Sequence, residues 1–302
     1  MLPRRMRQRW AAAFYFPSLE TERVMHSEDG TVKFSYRLAD GASIEGVLIP
    51  AAGRLTACIS SQVGCSLDCS FCATGQLKRV RNLTDFEMAR QVLVMNDWAQ
   101  QHLGRRITNV VLMGMGEPLL NYANAARAVR ALHVRSSYQF GWKRITLSTS
   151  GIAKGIRRMA DDALPARLAL SLHSAVPEKR AAIMSIGQSN SIEMLSGALR
   201  YYVKKTRRKV TLEYVLLDGV NDSEADARAL VRFASHFASK VNLIEYNPVP
   251  GIPYQPSPPQ TVARFLRLLQ EKGFRVMLRH SRGKDIMAAC GQLAHYAAQK
   301  HS

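Results

Sequence analysis

Repeated βα units with parallel strands, closed as a barrel or opened as a doubly wound sheet, are the α/β fold that this 302-residue sequence predicts. Three observations lead there. Short β-rich runs alternate with stretches of helical periodicity, polar or glycine-rich clusters follow the carboxyl ends of those runs, and no Pro/Gly linker interrupts the chain after residue 54. The strands expected are 54–60, 108–113, 144–149, 167–172, 210–217, 241–246 and 274–279. Between them, the capping box Thr84-Asp-Phe-Glu87 opens a helix to about residue 102. Further helices are expected over roughly 120–133, 152–162, 191–205, 223–239 and 258–272.

Ahead of these units, residues 1–30 read as a helix and a loop. Thr31–Leu38 and Ser43–Ile49 then alternate apolar and polar around Asp40-Gly41, which predicts a hairpin with a type I′ turn. Glu45 lies in the second strand, where alternation favours an exposed residue. The chain therefore divides into an N-terminal extension, 1–50, and a core, 51–302, ending in a C-terminal helix.

The stretch carrying most chemistry is Cys58-Ile-Ser-Ser-Gln-Val-Gly-Cys65-Ser-Leu-Asp-Cys69-Ser-Phe-Cys72. Cys65, Cys69 and Cys72 have the spacing C-x3-C-x2-C, which gathers three thiolates on a tight loop and suits zinc or an iron–sulfur cluster better than a hard cation. Structural zinc usually takes four protein ligands in paired motifs, and no local partner pair is present, so the trio favours a four-iron cluster with one open iron. Zinc or chance is the alternative.

With 42 Lys+Arg against 23 Asp+Glu, the net charge of +19 favours a polyanionic partner such as nucleic acid. The charge is clustered at Arg4, Arg5, Arg7 and Arg9, at Lys78, Arg79 and Arg81, and at Lys204, Lys205, Arg207, Arg208 and Lys209. Such runs are usually solvated faces, but one beside a metal loop is well placed for a phosphate backbone. Five cysteines, four of them crowded together, do not make a secreted disulfide framework, and a reducing cytoplasm fits. The basic N-terminus is not a signal peptide and no run of 18 apolar residues occurs, so a soluble protein away from membranes is expected.

The loops after the strands are Gly114-Met-Gly116-Glu117-Pro118, Ser148-Thr-Ser-Gly151, Ser171-Leu172-His173, Asp218-Gly-Val-Asn221-Asp222 and Asn247-Pro-Val-Pro-Gly251. Each has a plain reading. The glycines shape a turn, the serines cap helices, His173 is a satisfied core histidine, Asn221 and Asp222 supply turn chemistry, and Asn247 braces its own loop. Cys290, the remaining cysteine, follows two alanines and reads as a small buried hydrophobe, although basic neighbours favour its thiolate.

Taken together, these residues resemble the RlmN/Cfr-type radical S-adenosylmethionine RNA adenine methyltransferases. Cys58–Gly75, Arg81-Asn-Leu-Thr84, Gly114–Asn121, Ser148–Gly151, Ser171–His173, Glu213-Tyr-Val, Asn247–Gly251 and Ala288–Leu293 carry the resemblance, from about residue 30 to 295. It implies a partial (βα)6 TIM-like barrel, the radical SAM core, with a small N-terminal helix and β-hairpin extension. Cys65, Cys69 and Cys72 would hold a 4Fe–4S cluster. One S-adenosylmethionine would methylate Cys290, and a second, bound at Gly116, Glu117, Ser148, Ser171, Leu172, His173 and Asn247, would be cleaved to a 5′-deoxyadenosyl radical that takes hydrogen from the new methyl group. The resulting carbon adds to adenine, the RlmN branch favouring carbon 2. Glu45 resembles the family's proton acceptor, and Cys58 would free the product by forming a disulfide with Cys290.

The substrate implied is large-subunit rRNA, with tRNA as a second, and the partners are an electron donor such as flavodoxin or ferredoxin and no membrane, the enzyme acting as a cytoplasmic monomer. Two rivals are a radical enzyme acting on a peptide or small molecule and a non-catalytic zinc RNA-binding protein. Three departures from the family pattern stand out. The region before the hairpin is too short for its N-terminal accessory domain, Leu77-Lys78-Arg79-Val80 replaces a glycine–aromatic pair, and Ile183–Gln188 lacks the usual Pro and Asn.

Overall fold

A computed structural model describes residues 3, 5, 6, 19–135 and 139–294. The expected C-terminal helix and Arg4, Arg7 and Arg9 lie outside them, as does most of the expected N-terminal helix. Strands β1 (Leu19–His26), β2 (Val32–Leu38), β3 (Ser43–Ala51) and β4 (Arg54–Cys58) pair antiparallel in succession. Two-residue strands β5 (Gln62–Val63) and β6 (Arg81–Asn82) pair only with each other. The main sheet continues from β4, all parallel, through β7 (Asn109–Leu112), β8 (Ile145–Thr149), β9 (Arg167–Ser171), β10 (Val210–Leu216), β11 (Ser239–Glu245) and β12 (Val276–Arg279).

Helices make the crossovers: α1 (Asp85–Leu103), α2 (Tyr122–Arg130), α3 (Ala153–Asp161), α4 (Pro177–Ile183) with α5 (Ile192–Thr206), α6 (Glu224–Ala234) and α7 (Pro259–Glu271). These are six βα units, and β12 closes the last one. Because β1 and β12 each have one neighbour, the sheet stays open as a partial barrel. Both faces are covered, which is why β10 is buried at every position and reads as a nearly continuous apolar run. Among the described residues no helix is long and apolar enough to cross a membrane.

The capping box forms as its residues require: Thr84 Oγ1 accepts from Glu87 N at 3.1 Å and Glu87 Oε2 accepts from Thr84 N at 2.8 Å. Gly104, left-handed at φ 61°, ends the helix. Thr84→Ala is therefore expected to cost about 1 kcal/mol, read as a lower denaturant midpoint with an unchanged slope.

Four local expectations are corrected. Residues 19–26 form an edge strand rather than helix or loop; its mostly exposed, charge-rich Leu-Glu-Thr-Glu-Arg hides the alternation that marks a buried strand. The hairpin turn is not type I′. Its loop has three residues, Gly41 N donates to Leu38 O at 2.9 Å, and Gly41 alone is left-handed, so a type I turn ends in a bulge while Asp40 Oδ1 accepts from Ala42 N. The helix expected to reach 239 stops at Ala234, because β11 needs Ser239. The short α4, begun by Pro177 at its first turn, was not anticipated.

Candidate active site

The carboxyl ends of β7 to β12 converge on one cavity, and the loop after β5 brings the three motif cysteines to its rim. Cys72 N donates to Cys69 O at 3.1 Å and Gly75 N to Cys72 O at 3.0 Å, so successive tight turns aim Cys65, Cys69 and Cys72 at the same space. Burial raises all three thiols, Cys65 to about 11. They stay protonated at neutral pH until a bound cation compensates the thiolate charge. Among the described residues no three His, Cys, Asp or Glu side chains close round a single ion. Three soft donors on one loop, with the cavity open beside them, fit a cluster that keeps one iron free better than a closed tetrahedral zinc site.

Opposite the thiols, close backbone approach dictates the glycines. Gly116 has φ 95°, and a Cβ there would meet the Gln62 Cβ at 2.5 Å; one at Gly114 would meet the Ser60 Oγ at 2.7 Å and the Ile59 backbone at 2.8 Å. That packing presents Glu117, whose Oε1 accepts from Leu119 N at 2.9 Å and Oε2 from Ser150 N at 2.6 Å. Burial raises its pKa and these donors pull the other way. A buried carboxylate with spare lone pairs on the cavity wall suits an ammonium group. Ser148 and Ser171 line the same wall with hydroxyls 3.4 Å apart.

His173 fits both of its readings. Its left-handed backbone turns the ring against Phe71, Nδ1 accepts from Val215 N at 3.0 Å, and burial holds its pKa at about 3, with Arg180 adding. It is neutral, satisfied on one nitrogen, and still lines the cavity. Asn221 braces it from behind, donating to His173 O at 2.6 Å and Val215 O at 2.8 Å. Leu172 is fully buried and Asn247 lies behind the wall, its Nδ2 donating to Cys290 O at 3.4 Å; neither lines the cavity.

Cys290 is exposed on the cavity wall, and not the buried hydrophobe its alanine neighbours suggest. Its loop is clasped on two sides. Ala73 N donates to Gly291 O at 2.7 Å and Gln292 Nε2 to Pro248 O at 3.0 Å, while Thr74 Oγ1 donates to Leu293 O. On the other side, Asp285 accepts from Ser27 Oγ at 2.6 Å, Asp29 Oδ2 from Gly283 N at 2.9 Å, and Lys33 Nζ donates to Met287 O at 3.2 Å. The Asp29 pKa falls to about 2, since its hydrogen bonds outweigh a burial effect that would raise it. A depressed carboxyl stabilises above its ordinary value of 3.8 and loses that contribution as pH drops through about 2. Asp29→Asn is therefore expected to lower the urea midpoint at pH 7 and to match the parent near pH 2.

Cys58, at the end of β4, is buried and its thiol is pushed up to about 12, by burial first and by the charge of nearby Cys290 second, while Arg279 opposes both. Glu45 is buried rather than exposed, because α1 covers one face of β3 and the Cys290 segment covers the other. Its Oε1 pairs with the buried Lys33 at 2.9 Å and its Oε2 has no partner. Neither Cys58 nor Glu45 lines the cavity.

Two wall residues were given no role in the sequence analysis. Glu213 on β10 accepts from Asn242 Nδ2 at 2.9 Å, leaves Oε2 unpartnered, and has its pKa raised by burial. Arg279 on β12 feels Cys290 most strongly, then Glu213 and Cys58. A lone glutamate within Val-Thr-Leu-Glu-Tyr-Val was a usable signal; Arg279, at a strand end among other basic residues, gave none.

The basic runs separate. Arg81 is committed to Asp40 at 2.5 Å and Glu87 at 2.9 Å, while Lys78 and Arg79 remain exposed beside Cys65. The 204–209 run lies at the amino end of β10, away from the cavity. There Arg207 is the left-handed cap of α5, Lys205 pairs with Asp161, and Arg208 donates to Leu164 O at 2.6 Å while covering Trp142.

The Radical SAM superfamily profile matches residues 59–231. A probable dual-specificity RNA methyltransferase RlmN of Flavobacterium psychrophilum is 46% identical over 288 residues, covering 95% of this chain and 83% of the relative. One from Cytophaga hutchinsonii is 48% identical, covering 89% and 73%. Among solved structures, a radical SAM methyltransferase from Sphaerobacter thermophilus superposes with a TM-score of 0.93 at 42% identity, over 97% of this chain and 86% of that one. Streptococcus suis SuiB, at 14% identity and a TM-score of 0.54, shares the fold alone.

Proposed function

The chain belongs to the RlmN family of radical S-adenosylmethionine RNA methyltransferases, and on that premise we propose how it transfers the methyl group: to an adenine carbon, carbon 2, of large-subunit rRNA and of tRNA, by way of a methyl carried on Cys290. The observation that supports this route is Cys290 exposed on the wall of a cavity rimmed by three other thiols, with the buried Cys58 within electrostatic reach of it. A radical enzyme acting on a peptide or small molecule has no use for that outer pair, and a zinc RNA-binding protein has no use for the cavity.

Cys65, Cys69 and Cys72 hold the cluster, and Glu117, Ser148, Ser171 and the His173 loop bind S-adenosylmethionine, with Gly116 giving room for it; Leu172 and Asn247 support that wall from behind. When bound, cluster and cofactor supply the one-electron chemistry that an electron-poor aromatic carbon requires. Two molecules of that cofactor per turnover would supply the methyl group for Cys290 and the activation of that methyl.

The remaining steps use the chain's own residues. Cys290 carries the carbon to adenine, and the new carbon–carbon bond leaves RNA attached through its sulfur, the odd electron of that adduct passing to the redox centre that Cys65, Cys69 and Cys72 would hold. Glu45 takes the proton released from the adenine carbon, its unpartnered Oε2 being the open acceptor and Lys33 fixing the other oxygen. Cys58 then bonds to the Cys290 sulfur; the carbon–sulfur bond breaks with its electron pair on carbon, a proton completes the methyl group, and two thiols end as a disulfide. Ser27, Asp29 and Lys33 of the extension hold the Cys290 segment in register with the core. Exposed Lys78 and Arg79 meet RNA phosphates, and a flavodoxin or ferredoxin supplies the electrons to a monomer in the cytoplasm.

Glu117→Gln is expected to keep its iron and raise the dissociation constant of S-adenosylmethionine at least about tenfold, the loss of roughly one charge-assisted hydrogen bond. Titration of the reconstituted protein measures it. The whole reading is tested by mass mapping of rRNA and tRNA from cells with and without the gene: a missing methyladenine supports it, and identical maps overturn it.

A further inference from the structure

Arg180, on α4, is only 1% exposed and heads the fully buried side chains by size. Its guanidinium donates to the carbonyls of Ser171, at 3.2 Å, and of Leu172 on the β9 loop, and to the carbonyl of Ser150 on the β8 loop. Gly151 makes room for it, since a Cβ there would stand 2.8 Å from Nη2. Its Nε has no partner, and among the described residues no carboxylate pairs with it. Burial lowers its pKa to about 10, so it remains a cation at neutral pH, and the one group opposing that effect is Cys69. The helix also touches the cysteine loop directly, where Ser70 N donates to Ile183 O at 3.0 Å.

A buried cation without a counter-charge is costly, and carbonyl dipoles compensate it only in part. Ser70, which is bonded to this helix, directly follows Cys69, so the charge that a bound cluster would bring to Cys69 arises beside the helix that carries Arg180. We propose that Arg180 is a positioning residue that provides the counter-charge for a cluster bound at Cys65, Cys69 and Cys72 and, through the same guanidinium, locks together the β8 and β9 loops on which S-adenosylmethionine rests. This rests on the function proposed above. A thiolate-bound cluster grows more negative on reduction, so a fixed cation beside it favours the reduced state. Cofactor affinity and cluster potential thus depend on one side chain.

Arg180→Met removes charge and fork while keeping length, and Arg180→Lys keeps the charge alone. The measurements are a midpoint potential from an EPR-monitored redox titration and S-adenosylmethionine binding to the reconstituted proteins. The methionine variant is expected to have a more negative potential than the parent and more than tenfold weaker binding. The lysine variant is expected to keep the parental potential while binding weakly. Parental values of both quantities in the methionine variant, or equal potential shifts in both variants, would overturn the proposal. If the methionine variant takes up no iron, the lysine variant decides: a parental potential with weakened binding supports the proposal, and any other pairing overturns it. A parent that takes up no iron would overturn this inference together with the function; a parent that binds cluster and cofactor beside unmoved variants would overturn this inference alone.

Discussion

Cys69→Ala is expected to reduce bound iron to background, abolish absorbance near 400 nm and end RNA methylation, while the unloaded chain still folds. The motif loop brings three thiols to the cavity, and two thiolates do not hold a four-iron cluster. The structural cost is much smaller. Replacing one thiol by a methyl group in a part-buried loop costs about 1 kcal/mol, so the melting temperature of the iron-free variant should fall by only a few degrees. Separating the two readouts shows that the effect comes from the cluster and not from unfolding. Full iron content in this variant would remove the cluster assignment and with it the radical chemistry.

What could be read from the sequence follows the range of the interactions involved. Parallel strands buried on both faces leave apolar runs, and turn and cap chemistry is local, so the six βα units, the Thr84 capping box and the three-cysteine loop were legible. Edge strand β1 was not, because an exposed strand rich in charge carries no alternation. Glu45 shows the limit within the site. Alternation assigns it a face but not what covers that face, and the cover comes from Lys33 and from Met287, more than two hundred residues away. Within the 204–209 run only Arg208 is drawn into the fold, donating to the Leu164 and Ala166 carbonyls, while Lys204, Lys205, Arg207 and Lys209 stay exposed. Arg180 sat in Pro-Glu-Lys-Arg, a polar stretch in which the sequence analysis placed no element, and only the fold turns it inward.

Cys58→Ala and Cys290→Ala are expected to lose methylated product equally and to differ in what they leave attached to the protein. If Cys290 carries the methyl group, the purified parent should show one added methyl on that residue, and Cys290→Ala should have neither that mass nor any RNA adduct. Cys58 acts later. In Cys58→Ala the carbon–carbon bond still forms, but no second thiol captures the Cys290 sulfur, so the variant should co-purify with covalently bound RNA that nuclease trimming reduces to a nucleotide on the Cys290 peptide. The environment of Cys58 fits a delayed role, since burial pushes its thiol up to about 12, which keeps it protonated and unreactive towards bulk oxidants at neutral pH. Arg279 sits where it can stabilise a thiolate on either cysteine, so the charge needed for exchange is available locally. Folding does not confuse the comparison, because both changes remove a single sulfur and add no bulk. Cys58→Ala free of RNA, together with an unmethylated Cys290 in the parent, would leave only a shared radical core and favour the peptide or small-molecule rival.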